Sequence, residues 1–353
     1  MTAKSFLQNF TRFPVIIAEA GVNHNGSVEM ARRLIEAAAA AGADVVKFQT
    51  FKAGECTGRW AATAPYQQRQ DAGATDQFQL LAGLELDFAD FGDLKDYAEA
   101  QGLVFLSTPD GQLSLDLLCN IGSTAIKIAS GELTNLPFLA SIGFKKCPVI
   151  LSTGMGTLGE VQKAIETLSD SGCGPIVLLH CTSEYPAPAA ETNLHAMSVM
   201  RQAFGLPVGF SDHTTGNEAA IAATALGAVI IEKHLTLDRT LAGPDHAASM
   251  EPHEFADMVK AVRRAATMLG DGIKRPTPSE ANNRPLVRRG LVAATDLPAG
   301  AILSGRNVAI KRPAAGIAPE LLPQALNRRL TVSLAADEPI TWQHLGEVVD
   351  LEL

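Results

Sequence analysis

PVGFSDHTTGNEAAIAATALGAVIIEKHL (207–235) contains two short strand-like runs separated by a helix-length segment. The flanking runs, PVGFSDH and VIIEKHL, contain β-branched and aromatic residues, whereas the Ala-rich segment 216–226 between them favours a helix. A strand, a helix and a second strand in this order form a right-handed unit with parallel strands. The sequence therefore predicts a parallel sheet in this part of the chain.

The same alternation extends from residue 15 to about residue 270. The eight predicted strands are VIIAEAG (15–21), DVVKFQT (44–50), LVFLSTP (103–109), AIKIAS (125–130), PVILSTG (148–154), PIVLLHC (175–181), PVGFSDH (207–213) and VIIEKHL (229–235). Helical segments between and after them include 27–41, 88–101, 157–170, 192–203, 216–226 and 253–270. Eight such units in about 250 residues are typical of a (β/α)8 TIM barrel. An open doubly wound sheet is disfavoured because no Gly-x-Gly-x-x-Gly turn follows the first strand.

The pattern changes after residue 270. Residues 270–290 are rich in Pro, Asn and Arg, which is typical of a linker, and short β-like pieces with turn signals follow it. We therefore predict a barrel domain at 1–270, a linker at 271–289 and a small β-rich domain at 290–353. The long connection 51–87, which contains Arg59, Trp60 and Tyr66, is either an active-site lid or a packing excursion.

Net charge, the lengths of apolar runs and the spacing of cysteines exclude several classes of protein. The 353 residues carry a formal net charge of −9, which argues against a general nucleic-acid binder. No apolar run is long enough to span a membrane, and the N-terminus lacks the apolar core of a signal peptide, so we expect no membrane partner and a cytoplasmic location. The five cysteines form no C-x-x-C pair, and neither a disulfide framework nor a zinc–thiolate site is expected.

Polar residues stand at the C-terminal ends of the predicted strands, where barrel enzymes place their catalytic groups. The candidates are Glu19, Lys47, Gln49, Ser107, Thr108, Lys127, Ser130, Ser152, Thr153, His180, Thr182, Ser211, His213, Glu232 and His234. The side-chain period of two places Glu232 and His234 on one face of their strand, and Ser211 and His213 on one face of theirs. We expect these groups to converge on one mouth of the barrel.

His213 and His234 end consecutive strands, which would be neighbours about 5 Å apart in the sheet. Two imidazoles at that spacing suit a divalent metal that keeps open positions for water and substrate oxygens. A site of nitrogen and water ligands does not choose among Mn²⁺, Mg²⁺, Zn²⁺ and Co²⁺.

Lys47 and Lys127 lie near strand ends, each with a hydroxyl residue close by in sequence. A buried strand is a costly place for a lysine without a function. Two lysines with Ser and Thr donors favour binding of a phosphate or carboxylate. A Schiff-base aldolase, in which one lysine is the nucleophile, is the alternative.

An ordered set of motifs resembles the sialic acid synthase family and covers almost the whole chain. The motifs are IAEAGVNHNGSVEMARRLIEAAAAAGADVVKFQT (17–50), FLSTP (105–109), KIASGELTNLP (127–137), LSTGM (151–155), HCTSEYPAP (180–188), GFSDHTTG (209–216), IEKHLTLD (231–238) and GPDHAASMEP (243–252). RRGLVAATDLPAGAIL and KRPAAGI resemble the family's C-terminal antifreeze-like (SAF) domain. The resemblance implies a TIM barrel followed by a SAF domain, in a domain-swapped homodimer in which one subunit's SAF domain caps the other's active site.

The resemblance also implies an activity: metal-dependent condensation of phosphoenolpyruvate with N-acetylmannosamine, giving N-acetylneuraminate and phosphate. His213 and His234 would hold the metal, typically Mn²⁺. The groups implied around phosphoenolpyruvate are Lys47, Thr108, Lys127, Ser130, Ser152, Ser183 and Ser211. Those implied around the sugar are Glu19, Gln49, Tyr185, Asp245 and, from the partner subunit, its Arg312.

In the implied chemistry the metal polarises the sugar aldehyde, and Glu232 orients or deprotonates a water. The chain departs from the family pattern at Ser183, where Asn is frequent, and after Pro109, where an aromatic residue is expected. We expect the second difference to concern loop packing.

Four other functions are considered. An N,N'-diacetyllegionaminate synthase, using 2,4-diacetamido-2,4,6-trideoxymannose, would share the metal and phosphoenolpyruvate motifs. A pseudaminate synthase is disfavoured by NHNG (23–26) and GPDH (243–246). A Schiff-base aldolase would be metal-independent, and a noncatalytic ice- or glycan-binding protein would not explain the charged strand ends.

Overall fold

The computed structural model describes residues 13–59, 61–62 and 76–349. The chain divides into two compact units, Met1–Asp271 and Gly272–Leu353. Trp60 and Tyr66, noted in the predicted lid or packing excursion, lie outside the described residues. Every helix among the described residues is too short or too polar to cross a lipid bilayer.

The first unit contains eight parallel strands at the positions predicted from the sequence. They are β1 (Val15–Gly21), β2 (Val45–Thr50), β3 (Val104–Pro109), β4 (Ile126–Ile128), β5 (Val149–Ser152), β6 (Ile176–His180), β7 (Val208–Asp212) and β8 (Ile230–His234). The hydrogen-bonded order is β3-β2-β1-β8-β7-β6-β5-β4, in which the first strand pairs with the last. Strands β3 and β4, at the two ends of this order, lie against each other. The predicted TIM barrel is confirmed, and the open doubly wound sheet is wrong.

Helices follow the strands and cover the outside of the barrel. They are α1 (Val28–Ala41), α2 (Ala53–Cys56), α3 (Gln77–Leu84), α4 (Asp90–Ala100), α5 (Gln112–Asn120), α6 (Leu136–Phe144), α7 (Leu158–Asp170), α8 (His195–Phe204), α9 (Glu218–Ala225) and α10 (Pro252–Met268). Helix α1 begins where the Ser27 hydroxyl caps the Met30 N–H, and it ends at Gly42, whose φ of 83° suits glycine. Its buried face is mostly alanine, which lets the helix pack closely on the sheet.

The long connection between β2 and β3 packs partly on the barrel. Leu80 and Leu84 of α3 are buried against Val22 and Phe51, which follow β1 and β2. The described part of this connection therefore has a packing role, and a lid role stays a prediction.

The second unit is small and β-rich, as predicted. It contains α11 (Pro278–Val287), α12 (Leu322–Ala325) and the strands β9 (Gly290–Ala293), β10 (Val308–Lys311), β11 (Arg328–Leu330) and β12 (Leu345–Val348). The strands form two antiparallel pairs, β9 with β10 and β11 with β12. Leu291, Leu303, Leu330 and Ile340 are among the side chains of its own apolar core. The predicted linker 271–289 contains the exposed helix α11.

Candidate active site

The interior of the barrel changes from apolar to polar along the strands. The apolar layer is made of Val15, Ile17, Val45, Val104, Leu106, Ala125, Ile150, Val177, Leu179 and Ile230. Because inward-facing side chains recur every second residue, the next inward positions toward the C-terminal ends hold polar groups such as Glu19, Lys47 and Glu232. These polar groups line a cavity of about 390 Å³.

Two lysines and two carboxylates form the centre of this cavity. Nζ of Lys47 lies 2.6 Å from Oε2 of Glu19 and 3.8 Å from Oε2 of Glu232. Nζ of Lys127 lies 3.9 Å from Oε1 of Glu232, on the other side of the same carboxylate. Glu232 therefore stands between the two ammonium groups. All four residues are buried, so their charges interact with little solvent screening.

Hydroxyl groups and one backbone N–H surround the Lys127 side of the cavity. Nζ of Lys127 donates a hydrogen bond to Oγ of Ser152 at 2.6 Å. The Gly154 N–H donates to Oγ of Ser130 at 3.0 Å. A Cβ at position 154 would overlap Oγ of Ser183 and come within 2.8 Å of Oγ of Ser130, so the backbone here approaches both hydroxyl groups. Lysine, hydroxyl and backbone donors in this arrangement suit an anion.

His213 and His234 lie beside each other at the same mouth, with ring centroids 5.6 Å apart. Nδ1 of His213 lies 2.6 Å from the Thr182 carbonyl oxygen, a contact in which the ring donates and which leaves Nε2 as the acceptor nitrogen. Nδ1 of His234 is buried and has no hydrogen-bond partner. The ring of Tyr185 lies against both imidazoles, at 4.2 Å from His213 and 5.5 Å from His234.

The donor set fits a divalent metal with external ligands. Burial lowers the pKa of His213 to about 4, and burial together with His213 and Lys47 places the pKa of His234 well below its usual value. Both rings are therefore neutral at pH 7, the form that binds metals. Among the described residues, no group of three His, Cys, Asp or Glu side chains is placed to hold a metal. A metal here would use two imidazoles and complete its shell with water or substrate oxygens.

The carboxylates of the cavity differ in charge state. Burial raises the pKa of Glu19 to about 7, although Lys47 opposes the shift. Burial also acts on Glu232, but Lys127, Lys47 and the Ser211 hydroxyl outweigh it and lower the pKa of Glu232 below its ordinary value. Oγ of Ser211 donates to Oε1 of Glu232 at 2.9 Å. Glu232 is thus ionised at pH 7, whereas Glu19 can take up or release a proton there.

Asp245 lies at the His234 side of the site. Its Oδ2 is 3.8 Å from Nδ1 of His234, and burial raises its pKa to about 6. Gly21, with a φ of 52°, lies between Asp245 and Glu19: a Cβ there would be 3.7 Å from Oδ2 of Asp245 and 3.2 Å from Oε1 of Glu19. Glycine at this position keeps the space between the two carboxyl groups open.

The structure brings together most of the site residues predicted from the sequence. Lining the cavity are Glu19, Lys47, Gln49, Thr108, Lys127, Ser130, Ser152, Ser183, Tyr185, Ser211, His213, Glu232 and His234. Asp245 is placed beside them through His234. Arg312 is an exposed residue of the second unit, and its role stays a prediction, as do the roles of the others.

Four strand-end candidates, Ser107, Thr153, His180 and Thr182, do not line the cavity. The Ser107 hydroxyl lies 2.7 Å from that of Thr50, and Nε2 of His180 lies 2.8 Å from the Thr192 carbonyl oxygen. Each alternates with an inward-facing neighbour, Thr108 in one case and Leu179 in the other. The Thr153 hydroxyl donates to the Leu179 carbonyl oxygen, and the Thr182 hydroxyl donates to the Glu191 carbonyl oxygen. The expectation that all strand-end polar groups converge is wrong for these four residues.

Among the described residues, six that line the cavity were not predicted: Asp110, Ala129, Gly131, Met155, Cys181 and Glu184. Asp110 stands after Pro109, where we expected a difference that mostly concerns loop packing; it also lines the cavity. The sequence contains a signal for Asp110: it stands two residues after the inward-facing Thr108, so it is the next inward position, directly beyond the end of β3. Burial, with Glu132 nearby, raises the pKa of Asp110 to about 7.

Comparison with known proteins identifies the family. The NeuB family profile matches residues 34–274, and the SAF domain profile matches residues 288–346. The chain belongs to the NeuB family. It carries a SAF domain, and it is an enzyme of the sialic acid synthase type. The noncatalytic ice- or glycan-binding alternative is therefore wrong.

Similar NeuB-family proteins include two N,N'-diacetyllegionaminic acid synthases. That of Campylobacter jejuni is 47% identical over 92% of this chain and 98% of its own length. That of Legionella pneumophila is 43% identical over 94% of both chains. The solved structure of a Leptospira borgpetersenii N-acetylneuraminic acid synthetase in complex with citrate has a TM-score of 0.68 and 34% identity, covering 77% of this chain and 90% of that chain.

Proposed function

We propose that this enzyme condenses phosphoenolpyruvate with 2,4-diacetamido-2,4,6-trideoxymannose to give N,N'-diacetyllegionaminate and phosphate. The observation that carries the reaction class is the convergence of Lys47 and Lys127 with His213 and His234 on one cavity. The two legionaminate-forming relatives support the choice of sugar. They reverse the order predicted from the sequence, in which N-acetylmannosamine came first.

Phosphoenolpyruvate is proposed to occupy the Lys127 side of the cavity. Lys127, Ser152, Ser130 and the Gly154 N–H offer donors to its carboxylate and phosphate oxygens. Lys47 adds a second positive charge and lies 3.3 Å from Oγ1 of Thr108. Because burial lowers the pKa of Lys127 and its partner Glu232 is already shared with Lys47, an incoming anion gives Lys127 a charge partner of its own.

The sugar is proposed to bind beside His213 and His234, where Glu19, Gln49, Asp245 and Tyr185 lie. A divalent metal held by the two imidazoles, Mn²⁺ in our proposal with Mg²⁺, Zn²⁺ or Co²⁺ as alternatives, would polarise the open-chain aldehyde. Glu19 and Asp245, with raised pKa values, can accept or donate hydrogen bonds to sugar hydroxyl and amide groups at neutral pH.

Glu232, Lys47 and Lys127 are proposed to assist bond formation and the release of phosphate. C3 of phosphoenolpyruvate forms a bond to the aldehyde carbon, and the aldehyde oxygen takes up a proton. A water adds to C2 and gives up one proton, and the C2–O bond to phosphate then breaks as the new C2 hydroxyl loses its proton, which leaves a 2-keto group and inorganic phosphate. The ionised Glu232 is placed to accept the proton of that water, and Lys47 and Lys127 on either side of it compensate the charge of the departing phosphate. Binding of both substrates in this one cavity would bring C3 of phosphoenolpyruvate close to the aldehyde carbon.

N-acetylneuraminate synthesis from N-acetylmannosamine is the second candidate. The similarity to the Leptospira borgpetersenii synthetase favours it, because that protein makes the sialic acid itself. The two functions differ in the sugar and share the anion and metal groups. A pseudaminate synthase and a Schiff-base aldolase are less favoured.

A domain-swapped homodimer is part of the proposal, with Arg312 of one subunit completing the other's sugar site. A cytoplasmic location remains a prediction from the sequence.

Phosphate release from phosphoenolpyruvate tests the function. The enzyme is treated with a chelator, Mn²⁺ is added back, and the two sugars are compared in parallel. Metal-dependent release with the 2,4-diacetamido sugar at higher kcat/KM than with N-acetylmannosamine is the expected result, and the reverse preference would assign neuraminate synthesis. Borohydride trapping with pyruvate provides the control for the aldolase, since a covalent adduct on lysine would contradict the proposal.

A further inference from the structure

A buried ion pair lies directly behind the two histidines, on the outer face of the barrel strands. Asp212 is the last residue of β7 and precedes His213, and Lys233 precedes His234 in β8. The two residues are partners in the strand register, and both are almost fully buried, at 1% and 2% exposure. Neither lines the cavity, so neither touches the substrates in the proposed reaction.

The Lys233 ammonium holds the chain on both sides of His213. Its Nζ donates to Oδ2 of Asp212 at 2.8 Å and to the carbonyl oxygen of Thr214 at 2.5 Å. Oδ1 of Asp212 in turn accepts from the Thr214 N–H at 2.8 Å and from the Thr214 hydroxyl at 2.7 Å. Lys233, which precedes His234, is therefore hydrogen-bonded to Asp212 and Thr214, the residues on either side of His213.

The backbone of His234 is held as well. The Met250 N–H donates to the His234 carbonyl at 2.9 Å, and the Leu235 N–H donates to the carbonyl of Glu19 at 2.8 Å. The strand that carries His234 is anchored in this way, and the bonds of Lys233 connect that strand to the chain around His213.

A buried ion pair is a poor means of gaining stability, because the desolvation of both charges offsets their attraction and apolar residues of similar volume often serve equally well. The ion pair instead fixes the position of the chain, because each hydrogen bond of the ammonium group has a defined length and direction. In other proteins, groups that hydrogen-bond the rings of metal-ligating histidines orient those rings and affect metal affinity. Lys233 and Asp212 act one step farther from the metal, through the backbone around His213.

We propose that Lys233 and Asp212 are positioning residues that set the spacing of His213 and His234 and thereby the affinity of the enzyme for its divalent metal. The proposal rests on the proposed metal site. It extends that site to two residues that contact neither metal nor substrate.

The test measures Mn²⁺ binding to the purified full-length protein by electron paramagnetic resonance of the free ion, without substrates. The double variant Asp212→Asn, Lys233→Met removes both charges together and keeps an acceptor for Thr214, so no unpaired charge remains buried. We expect its Kd for Mn²⁺ to rise about tenfold, which is the lower end of the effect of losing groups that hydrogen-bond the ligating rings directly. The single variant Lys233→Arg keeps the charge and several donors. It should bind Mn²⁺ more tightly than the double variant and less tightly than the parent.

Leu168→Ala, in the buried face of α7, is the control for general loss of stability. We expect it to lower the unfolding temperature and to leave the Kd for Mn²⁺ within about twofold of the parent, because Leu168 contributes only packing. A folded double variant with unchanged Kd would overturn the positioning role alone. A parent enzyme that binds no Mn²⁺, with His234→Ala indistinguishable from it, would contradict the metal site and the positioning role together.

Discussion

Lys127 and Ser152 are joined across β4 and β5 by a hydrogen bond of 2.6 Å from Nζ to Oγ, inside the barrel. Lys127 also approaches Glu232, and all three side chains are buried. This arrangement leaves a positive charge in a site that water does not stabilise, so an anionic substrate gains more from it than it would at the protein surface.

Lys127→Met should therefore reduce kcat/KM for phosphoenolpyruvate by about 30-fold to 1,000-fold, as expected when one partner of a buried charged contact is removed. Steady-state kinetics of phosphate release measure the effect. Lys145→Met is the control, since Lys145 forms an exposed ion pair with Asp116 and should change kcat/KM less than about twofold. Equal kinetics for the two variants would contradict the anion-binding role.

The proposed metal site predicts that replacing His234 and replacing His253 will affect activity and Mn²⁺ binding differently. His234→Ala should abolish phosphate release and Mn²⁺ binding because half of the protein's metal ligands are lost. His253→Ala should retain both, since that side chain is 73% exposed and lies on α10. Chelation of the parent enzyme should stop turnover, and added Mn²⁺ should restore it. Near-normal turnover of His234→Ala would refute the assignment.

Asp110 predicts a pH dependence of phosphoenolpyruvate binding. Because its pKa is raised to about 7, its carboxyl group is mainly neutral below that pH and ionised above it. The ionised form offsets the positive charge of Lys47 and Lys127 and repels the substrate. The KM for phosphoenolpyruvate of the parent, relative to that of Asp110→Asn, should therefore rise between about pH 6 and about pH 8.

Two controls accompany this measurement. Ionisation of the substrate's own phosphate affects both enzymes equally and cancels in the ratio. Asp257→Asn removes an exposed carboxylate of α10 and should follow the parent at every pH. A ratio that does not change with pH would show that Asp110 does not titrate in the site.

Gly154 predicts a steric effect on the anion site. In Gly154→Ala the new methyl group would overlap the hydroxyl of Ser183 and crowd that of Ser130, so we expect the KM for phosphoenolpyruvate to rise at least about tenfold and the free energy of unfolding to fall by about 1–3 kcal/mol. Gly159→Ala, in α7 with no atom within 4 Å of the new methyl group, should be neutral or stabilising by up to about 1 kcal/mol. Denaturant titration and kinetics distinguish the two variants.

Mixed dimers test the proposed exchange of the C-terminal domain. Arg312→Ala alone should weaken sugar binding more than phosphoenolpyruvate binding. When Arg312→Ala and His234→Ala subunits are combined, a swapped dimer contains one intact site, made from the barrel of the first and the SAF domain of the second. Activity should then exceed that of either variant alone. If each subunit uses its own SAF domain, every site carries one lesion and activity stays at the level of the separate variants.

The sequence by itself determined the barrel and most of the site. The alternation of apolar strand runs with Ala-rich helices is a local property, and parallel strands with right-handed connections leave few ways to arrange eight such units. The period of two along each strand then placed Glu19, Lys47, Glu232 and His234 on the inner face.

Only the tertiary structure decided which polar groups interact. The two sides of Glu232 meet different lysines, one more than 180 and the other more than 100 residues away in sequence, because strands β2 and β4 approach β8 across the barrel. The outward pairing of Lys233 with Asp212 likewise depends on the register of the two neighbouring strands. A local sequence pattern does not record that register, because it is set by packing between distant segments.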